Sequence, residues 1–235
     1  YDVTNKASLD LPAGYDRLSS SDTAALMELM ENPSSGSEYY VGPEDGRWFA
    51  VFSYEDTGHV KDDEVIDADD LLASVKEGTR YGNEERRKRG WAEMNIIGWQ
   101  YKPRYSDTTN RLSWAILAEC EGYEIVNYNT RLLGRTGVIS ATLVTDPETL
   151  TTSVNEFENL LDGFSYNPGD LYAEYKEGDK LATYGLAALV TGGAAAAVAK
   201  GAGKGLFKAI GLGLLALFAA IGKFFKGMFS RKQSD

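Results

Sequence analysis

The alternation of apolar and polar residues along the chain predicts an antiparallel sheet. Four segments alternate in this way, and short turns rich in Gly, Asp, Asn and Ser separate them. These predicted strands are Trp91–Tyr101, Arg111–Glu121, Tyr123–Leu133 and Val138–Val144. An earlier aromatic and β-branched segment, Arg47–Tyr54, predicts a further strand. Because tight turns connect consecutive strands, we expect an antiparallel meander of about five strands.

Helices are predicted on either side of this meander in the sequence, from apolar periodicity and from end signals. They begin at Ser19, Asp69 and Asp146 and end at Asn32-Pro33, Gly90 and about Leu161. Ser19 and Asp22 have the spacing of an N-terminal capping box. Helices and antiparallel strands in this order predict an α+β fold with the helices on one face of the sheet.

Charge divides the chain into two parts. The whole sequence has a net charge of −11, from 24 Lys and Arg and 35 Asp and Glu. Residues 182–235 contain seven bases and one acid, which leaves 17 bases and 34 acids, a net charge of −17, in residues 1–181. The seven bases are Lys200, Lys204, Lys208, Lys223, Lys226, Arg231 and Lys232. The sequence therefore predicts an acidic α+β domain at 1–181 and a basic, apolar tail at 182–235.

The tail contains an apolar segment long enough to cross a bilayer. Residues 205–225 would form a helix about 31 Å long, close to the hydrocarbon thickness of about 30 Å. Bases follow this segment, so we expect the C-terminus in the cytoplasm and the acidic domain outside it, at the bacterial inner membrane. Two alternatives stay open: a helical hairpin that includes the Ala- and Gly-rich residues 182–199, and a helix lying on anionic headgroups. The small residues also favour a homo-oligomer.

Five separated motifs carry a resemblance to a known family. They occupy residues 11–15, 48–64, 77–90, 127–137 and 183–189, and include Leu-Pro-Ala-Gly-Tyr and Asn-Tyr-Asn-Thr-Arg-Leu-Leu-Gly-Arg-Thr-Gly. The chain resembles the bacterial membrane-anchored proteins catalogued as domain of unknown function 2167. The resemblance implies a secreted domain with a C-terminal anchor, and it implies no activity or catalytic residues. The order of elements is also similar to the PsbP/Mog1-like α/β sandwich.

The acidic loop 55–70 is the candidate for metal binding, because Ca²⁺ prefers several oxygen ligands. The candidate ligands are Asp62, Asp63, Asp67 and Asp69. Their spacing lacks the glycine and the final glutamate of an EF-hand, which favours a solvated loop instead. A single His and a single Cys exclude a multi-histidine site, a cysteine cage and an intrachain disulfide. We predict no catalytic residue and no cofactor.

Polar residues on one predicted strand are the candidate for partner binding. Asn127, Asn129 and Arg131 occupy alternate positions and therefore share one face of the strand. Together with a following turn and the second helix they predict a polar groove for a peptide or a partner. The candidate residues are Glu84, Arg86, Arg87, Asn127, Asn129, Arg131 and Arg135. The alternative is an ordinary solvent-facing side of the sheet.

These features together predict a membrane-anchored extracytoplasmic protein, without enzymatic activity, that binds or scaffolds a partner at the bacterial cell envelope. The expected partners are the lipid bilayer and another envelope or membrane protein. Nucleic acid is excluded, because an acidic domain repels phosphates. Two alternatives are a hydrolase or metal-dependent enzyme that uses loop 55–70, and a membrane-perturbing protein that acts through its cationic apolar tail.

Overall fold

Ten strands build two antiparallel sheets in residues 1–192, the part of the chain that this computed structural model describes. The small sheet contains β1 (Asp2–Thr4), β2 (Ala7–Leu9) and β10 (Phe164–Tyr166). The large sheet contains β3 (Tyr15–Arg17), β4 (Tyr39–Pro43), β5 (Phe49–Glu55), β6 (Met94–Ser106), β7 (Arg111–Cys120), β8 (Tyr123–Leu133) and β9 (Val138–Thr145). Its seven strands are ordered β3-β4-β5-β9-β8-β7-β6, so β6 to β9 form a meander of chain neighbours.

Four α-helices accompany the sheets in the described residues. They are α1 (Ser20–Leu29), α2 (Ala68–Arg89), α3 (Leu150–Leu161) and α4 (Leu186–Thr191). The predicted end signals are confirmed: the Ser19 hydroxyl accepts a hydrogen bond from the backbone N–H of Asp22 at 3.2 Å. Gly90 ends α2 in the left-handed conformation, at a φ of 72°, which glycine adopts without steric cost.

Alternation along the strands separates two hydrophobic cores. On β5, Phe49 and Val51 pack on one face of the large sheet with residues of α1, α2 and α4, and we call this face the helix side. Ala50 and Phe52 point to the other face, where α3 and the small sheet pack. The large sheet is therefore covered on both faces, and its β9 is buried along its whole length.

The α+β class and the antiparallel meander are confirmed, but two parts of the predicted architecture are wrong. The large sheet has seven strands rather than about five, because β3 and β4 are too short to show a period of two in the sequence. Helices also cover both faces instead of one. The apolar stripe of α3 shows that this helix is buried, but it carries no information about which face of the sheet receives it.

The first residues of the predicted tail pack into the helix-side core. Leu186, Leu189 and Val190 of α4 are each at most 4% exposed. The Glu64 carboxylate accepts a hydrogen bond from the backbone N–H of Ala187 at 2.9 Å and so holds the start of this helix. Among residues 1–192, no helix combines the length and the apolar character needed to cross a membrane. The predicted span at 205–225 and all seven basic residues of the tail lie outside the described residues.

His59 fixes the loop after β5 to the segment that leads into α4. Its backbone N–H donates to the carbonyl of Lys180 and its own carbonyl accepts from Ala182, both at 2.8 Å. The imidazole ring is stacked between Tyr172 and Tyr175, with ring centroids 4.4 and 4.3 Å away. Burial lowers the pKa of His59, against opposing effects of backbone and acidic groups nearby. The folded protein therefore favours the neutral ring.

We expect acidification to destabilise the protein through this ring. Because the pKa of His59 is lowered on folding, its contribution is complete above the unfolded pKa of about 6.5 and is lost as pH falls below that value. Thermal unfolding from about pH 7.5 to about pH 5 measures the loss. His59→Phe keeps an aromatic ring and is the control, since the chain has no other histidine. Equal losses for both proteins would contradict this role of His59.

Candidate functional site

A band of polar side chains crosses the helix side of the large sheet at its centre. In one row, Arg131 on β8 pairs with Ser140 on β9, which pairs with Ser53 on β5. In the next row, Asn129 lies between Trp114 and Thr142. With Asn127, these residues form what we call the polar patch: Ser53, Trp114, Asn127, Asn129, Arg131, Ser140 and Thr142. The adjacent positions on this face are apolar.

Part of the polar patch is satisfied by its own hydrogen bonds. The Thr142 hydroxyl donates to the side-chain oxygen of Asn129 at 3.1 Å. The amide nitrogen of Asn129 in turn donates to the backbone carbonyl of Asn127 at 3.2 Å. These two bonds fix the Asn129 side chain in the centre of the patch, where it is 5% exposed.

Three other groups of the patch are buried without a hydrogen bond to any residue in 1–192. They are the Nη1 of Arg131, the indole Nε1 of Trp114 and the side-chain oxygen of Asn127. Their residues are 5%, 0% and 1% exposed, respectively. A buried polar group without a partner costs about 1–3 kcal/mol, and a charged group costs more. The patch therefore contains three of the seven buried unpartnered side-chain atoms in residues 1–192, and the other four lie on Asn32, His59 and Arg86.

Arg131 is the main source of that cost. Its guanidinium carbon lies 5.0 Å above the centroid of the Trp114 ring, a cation–π contact. Among the described residues, no carboxylate lies within ion-pair distance of this guanidinium. Burial lowers the pKa of Arg131, and the more distant Glu55 carboxylate opposes this shift. The charge is thus held in the interior mainly by an aromatic face.

Glu55 and Tyr184 mark the accessible end of the polar patch. Glu55 is exposed at the end of β5, next to the half-buried Ser53 along the same face. Tyr184 is half-buried in the segment before α4, and burial raises its pKa to about 12, with Glu55 adding to the shift and Arg131 opposing it. The phenol is therefore neutral at physiological pH and lies within electrostatic range of both charges.

The structure brings three of the seven predicted binding residues together. Asn127, Asn129 and Arg131 lie in the polar patch, although the face expected to be solvent-exposed is buried beneath helices. The core on this face includes residues of α1, α2 and α4, which are distant in sequence from β8. The expectation that this side of the sheet is exposed to solvent is therefore wrong for these residues.

The remaining predicted residues lie elsewhere. On α2, Arg86 is buried and donates to the backbone carbonyls of Glu31 and Ala92. Arg87 forms a 2.8 Å ion pair with Glu93 at the surface. Glu84, also on α2, is exposed.

Arg135 binds a different part of the chain from the other predicted residues. Its Nε and Nη2 donate to the two carboxylate oxygens of Asp179 at 2.7 and 2.8 Å. This bidentate pair lowers the pKa of Asp179 to about 2. Arg135 therefore closes the β8–β9 turn onto the segment before α4 and has no free cationic face toward the polar patch.

The acidic loop separates its predicted metal ligands. Asp62 accepts a hydrogen bond from the Tyr105 hydroxyl at 2.8 Å. Asp67 caps α2, and Asp69 pairs with Lys102 at 3.0 Å. Asp63 is exposed. In the part of the chain from residue 1 to residue 192, no three His, Cys, Asp or Glu side chains are grouped to hold a metal ion.

Sequence analysis missed the members of the polar patch outside β8. Ser140 and Thr142 interrupt an otherwise apolar strand at alternate positions. Because β8 and β9 are neighbours in the predicted meander, their alternating polar residues belong on one shared face. That signal was present in the sequence. The burial of Trp114 without a partner for its indole N–H could not be predicted from the sequence, because it depends on tertiary packing.

Fold and site together define an α+β protein with a buried, incompletely satisfied polar patch under its helices. The chain belongs to the family described as "Protein of unknown function (DUF2167)", whose model matches residues 1–225. A comparison with curated proteins found no match.

Two solved structures are similar to the chain at low identity. The solution structure of cyanobacterial PsbP (CyanoP) from Synechocystis sp. PCC 6803 is 12% identical, with a TM-score of 0.41. The match covers 69% of this chain and 87% of that protein. A protein of unknown function from Pseudomonas aeruginosa is also 12% identical, with a TM-score of 0.29, over 52% of this chain and 74% of that protein.

Proposed function

We propose that this protein is a membrane-tethered binding protein of the bacterial cell envelope, in which the polar patch receives a ligand or partner group. The observation that carries the proposal is the set of buried, unpartnered polar atoms on Arg131, Trp114 and Asn127. The bilayer and a second envelope protein are the proposed partners. The proposed role is recognition rather than catalysis.

Energetics support a binding role for the patch. Native proteins have a total stability of only about 5–15 kcal/mol, so several unsatisfied buried groups consume a large part of it. Apolar residues at these positions would avoid that cost. Such residues occupy the neighbouring positions of the same face. Polar groups retained at such a cost are typical of sites that make their hydrogen bonds to something outside the folded chain.

Charge supports the membrane part of the proposal. Residues 1–181 carry a net charge of −17 and residues 182–235 a net charge of +6. An apolar stretch followed by bases favours a C-terminus in the cytoplasm. The acidic domain would then lie outside the cytoplasmic membrane, and α4 would connect it closely to that membrane, because α4 is itself packed in the domain core.

Topology mapping tests the tether. We expect protease treatment of intact spheroplasts to remove a tag placed before Tyr1 and to leave a tag after Asp235 intact, because the tail bases hold the C-terminus inside. Lysed spheroplasts, in which both tags are accessible, are the control. Exposure of both tags would replace the single span with a hairpin. Protection of both would place the domain in the cytoplasm and contradict the proposed location.

A further inference from the structure

We infer that the polar patch binds a carboxylate, which accepts hydrogen bonds from the guanidinium of Arg131 and the indole N–H of Trp114. The inference rests on the proposed binding function and specifies the chemistry of its ligand. It concerns a single carboxylate group, carried either by a small free acid or by the end of a polypeptide. The two sources share the same contacts with the patch.

Two buried donors of the patch lack an acceptor. The guanidinium carbon of Arg131 lies 5.0 Å from the centroid of the Trp114 ring, so the two side chains are in contact in the patch. Both residues are at least 95% buried, and Arg131 Nη1 and Trp114 Nε1 make no hydrogen bond within residues 1–192. The planar fork of arginine matches the two oxygens of a carboxylate, and such charge-assisted bonds are about twice as strong as neutral ones.

The chain is poorly supplied with a carboxylate of its own for this place. Among the described residues no acidic side chain pairs with Arg131, and Glu55 interacts with it only at longer range. Residues 193–235 contain one acidic side chain, Asp235, against all seven bases of the tail. The compensating negative charge is therefore expected to arrive with a ligand.

The same charges favour a monoanion over a phosphate. Arg131 is the only cation of the polar patch, and Glu55 stands at its accessible end. A dianion would leave one charge uncompensated and would approach past a carboxylate of the same sign. The net charge of −17 in residues 1–181 also opposes polyanions. A carboxylate brings one negative charge and neutralises the site.

The most exposed end of the patch is the Glu55 end. Ser53 and Tyr184 are half-buried there, whereas Asn127 and Thr142 at the other end are covered by the core. Arg131 itself is 5% exposed, so a ligand contacts it with a small part of its surface.

The indole N–H of Trp114 provides a direct test. The chain has four tryptophans, so a ¹⁵N-labelled sample of the full protein in detergent micelles gives resolved indole signals. Trp48 donates to Glu156 at 2.8 Å and Trp99 to the Ala68 carbonyl at 2.9 Å, so both are internal controls. Sodium acetate, titrated against sodium chloride of equal ionic strength, is the probe.

We expect acetate to shift the Trp114 indole signal in a saturable way and chloride to leave it unchanged. Arg131→Met should abolish the shift, whereas Arg104→Met, at an exposed arginine on the edge strand β6, should retain it. If Arg131→Met fails to fold, Trp114→Phe with acetate-dependent thermal stability as the readout replaces it. A short peptide with a free C-terminus, compared with its amide, distinguishes the sources: at least tenfold tighter binding than acetate assigns the carboxylate to a polypeptide.

Two results would overturn the inference. One is a Trp114 signal that does not move at about 100 mM acetate, where a site with a Kd of about 1 mM would be saturated. The other is an equal shift in wild type and Arg131→Met. A response to inorganic phosphate but not to acetate would reject the carboxylate while leaving the proposed binding function in place. No response to acetate, phosphate or peptide would remove both.

Discussion

Replacing Arg131 by methionine is expected to stabilise the ligand-free protein by about 1–3 kcal/mol. A buried charge that has lost its partner costs about 3–5 kcal/mol. The cation–π contact with Trp114 returns about 2 kcal/mol of this. Methionine keeps most of the length of the side chain and removes the charge, so it fills the space among Leu112, Trp114 and the helices without a desolvation penalty.

Urea unfolding at neutral pH, in a buffer without carboxylates, measures this gain. Arg131→Lys retains a buried cation and is the matched control, for which no stabilisation is expected. An Arg131→Met protein that is less stable than wild type by more than about 1 kcal/mol would show that the guanidinium already has a compensating partner, and the carboxylate inference would lose its basis.

The parts of the fold that sequence predicts are those set by local physics. Ser19 and Gly90 act at the ends of helices within one turn of the chain, so their residue types are sufficient evidence. The strands β7, β8 and β9 are each eight or more residues long and are joined by short turns. The small sheet could not be predicted, because β2 pairs with β10 across more than 150 residues and each strand has three residues.

The candidate site was also predictable only where local sequence determines it. The period of two on β8 correctly placed Asn127, Asn129 and Arg131 on one face. Whether that face is wet or buried is decided by tertiary packing, because the core on this face includes residues of α1, α2 and α4, which are distant in sequence from β8. The sequence analysis also grouped Arg86 with Arg131, as candidate members of one polar groove. Their surroundings differ through tertiary contacts that neither sequence position reveals.

Contacts of Arg86 connect three elements. Its Nη1 donates to the carbonyl of Glu31 at the end of α1, at 3.1 Å, and its Nε donates to the carbonyl of Ala92 before β6. The Glu31 carboxylate lies 3.8 Å from Nη2 and itself accepts the backbone N–H of Ala92 at 3.1 Å. Arg86 is 3% exposed and donates to two backbone carbonyls, whereas the Nη1 of Arg131 has no such partner within residues 1–192.

The same substitution at Arg86 is therefore expected to act in the opposite direction. Arg86→Met should destabilise the protein by about 3–5 kcal/mol, because it leaves the Glu31 and Ala92 carbonyls without their donor and Glu31 without its cation. Urea unfolding under the conditions used for Arg131→Met measures the loss. Arg87→Met, which removes only an exposed pair with Glu93, is the control and should change stability by at most about 1 kcal/mol. If Arg86→Met and Arg131→Met shifted stability in the same direction, the hydrogen-bond partners would not be what separates these two buried arginines.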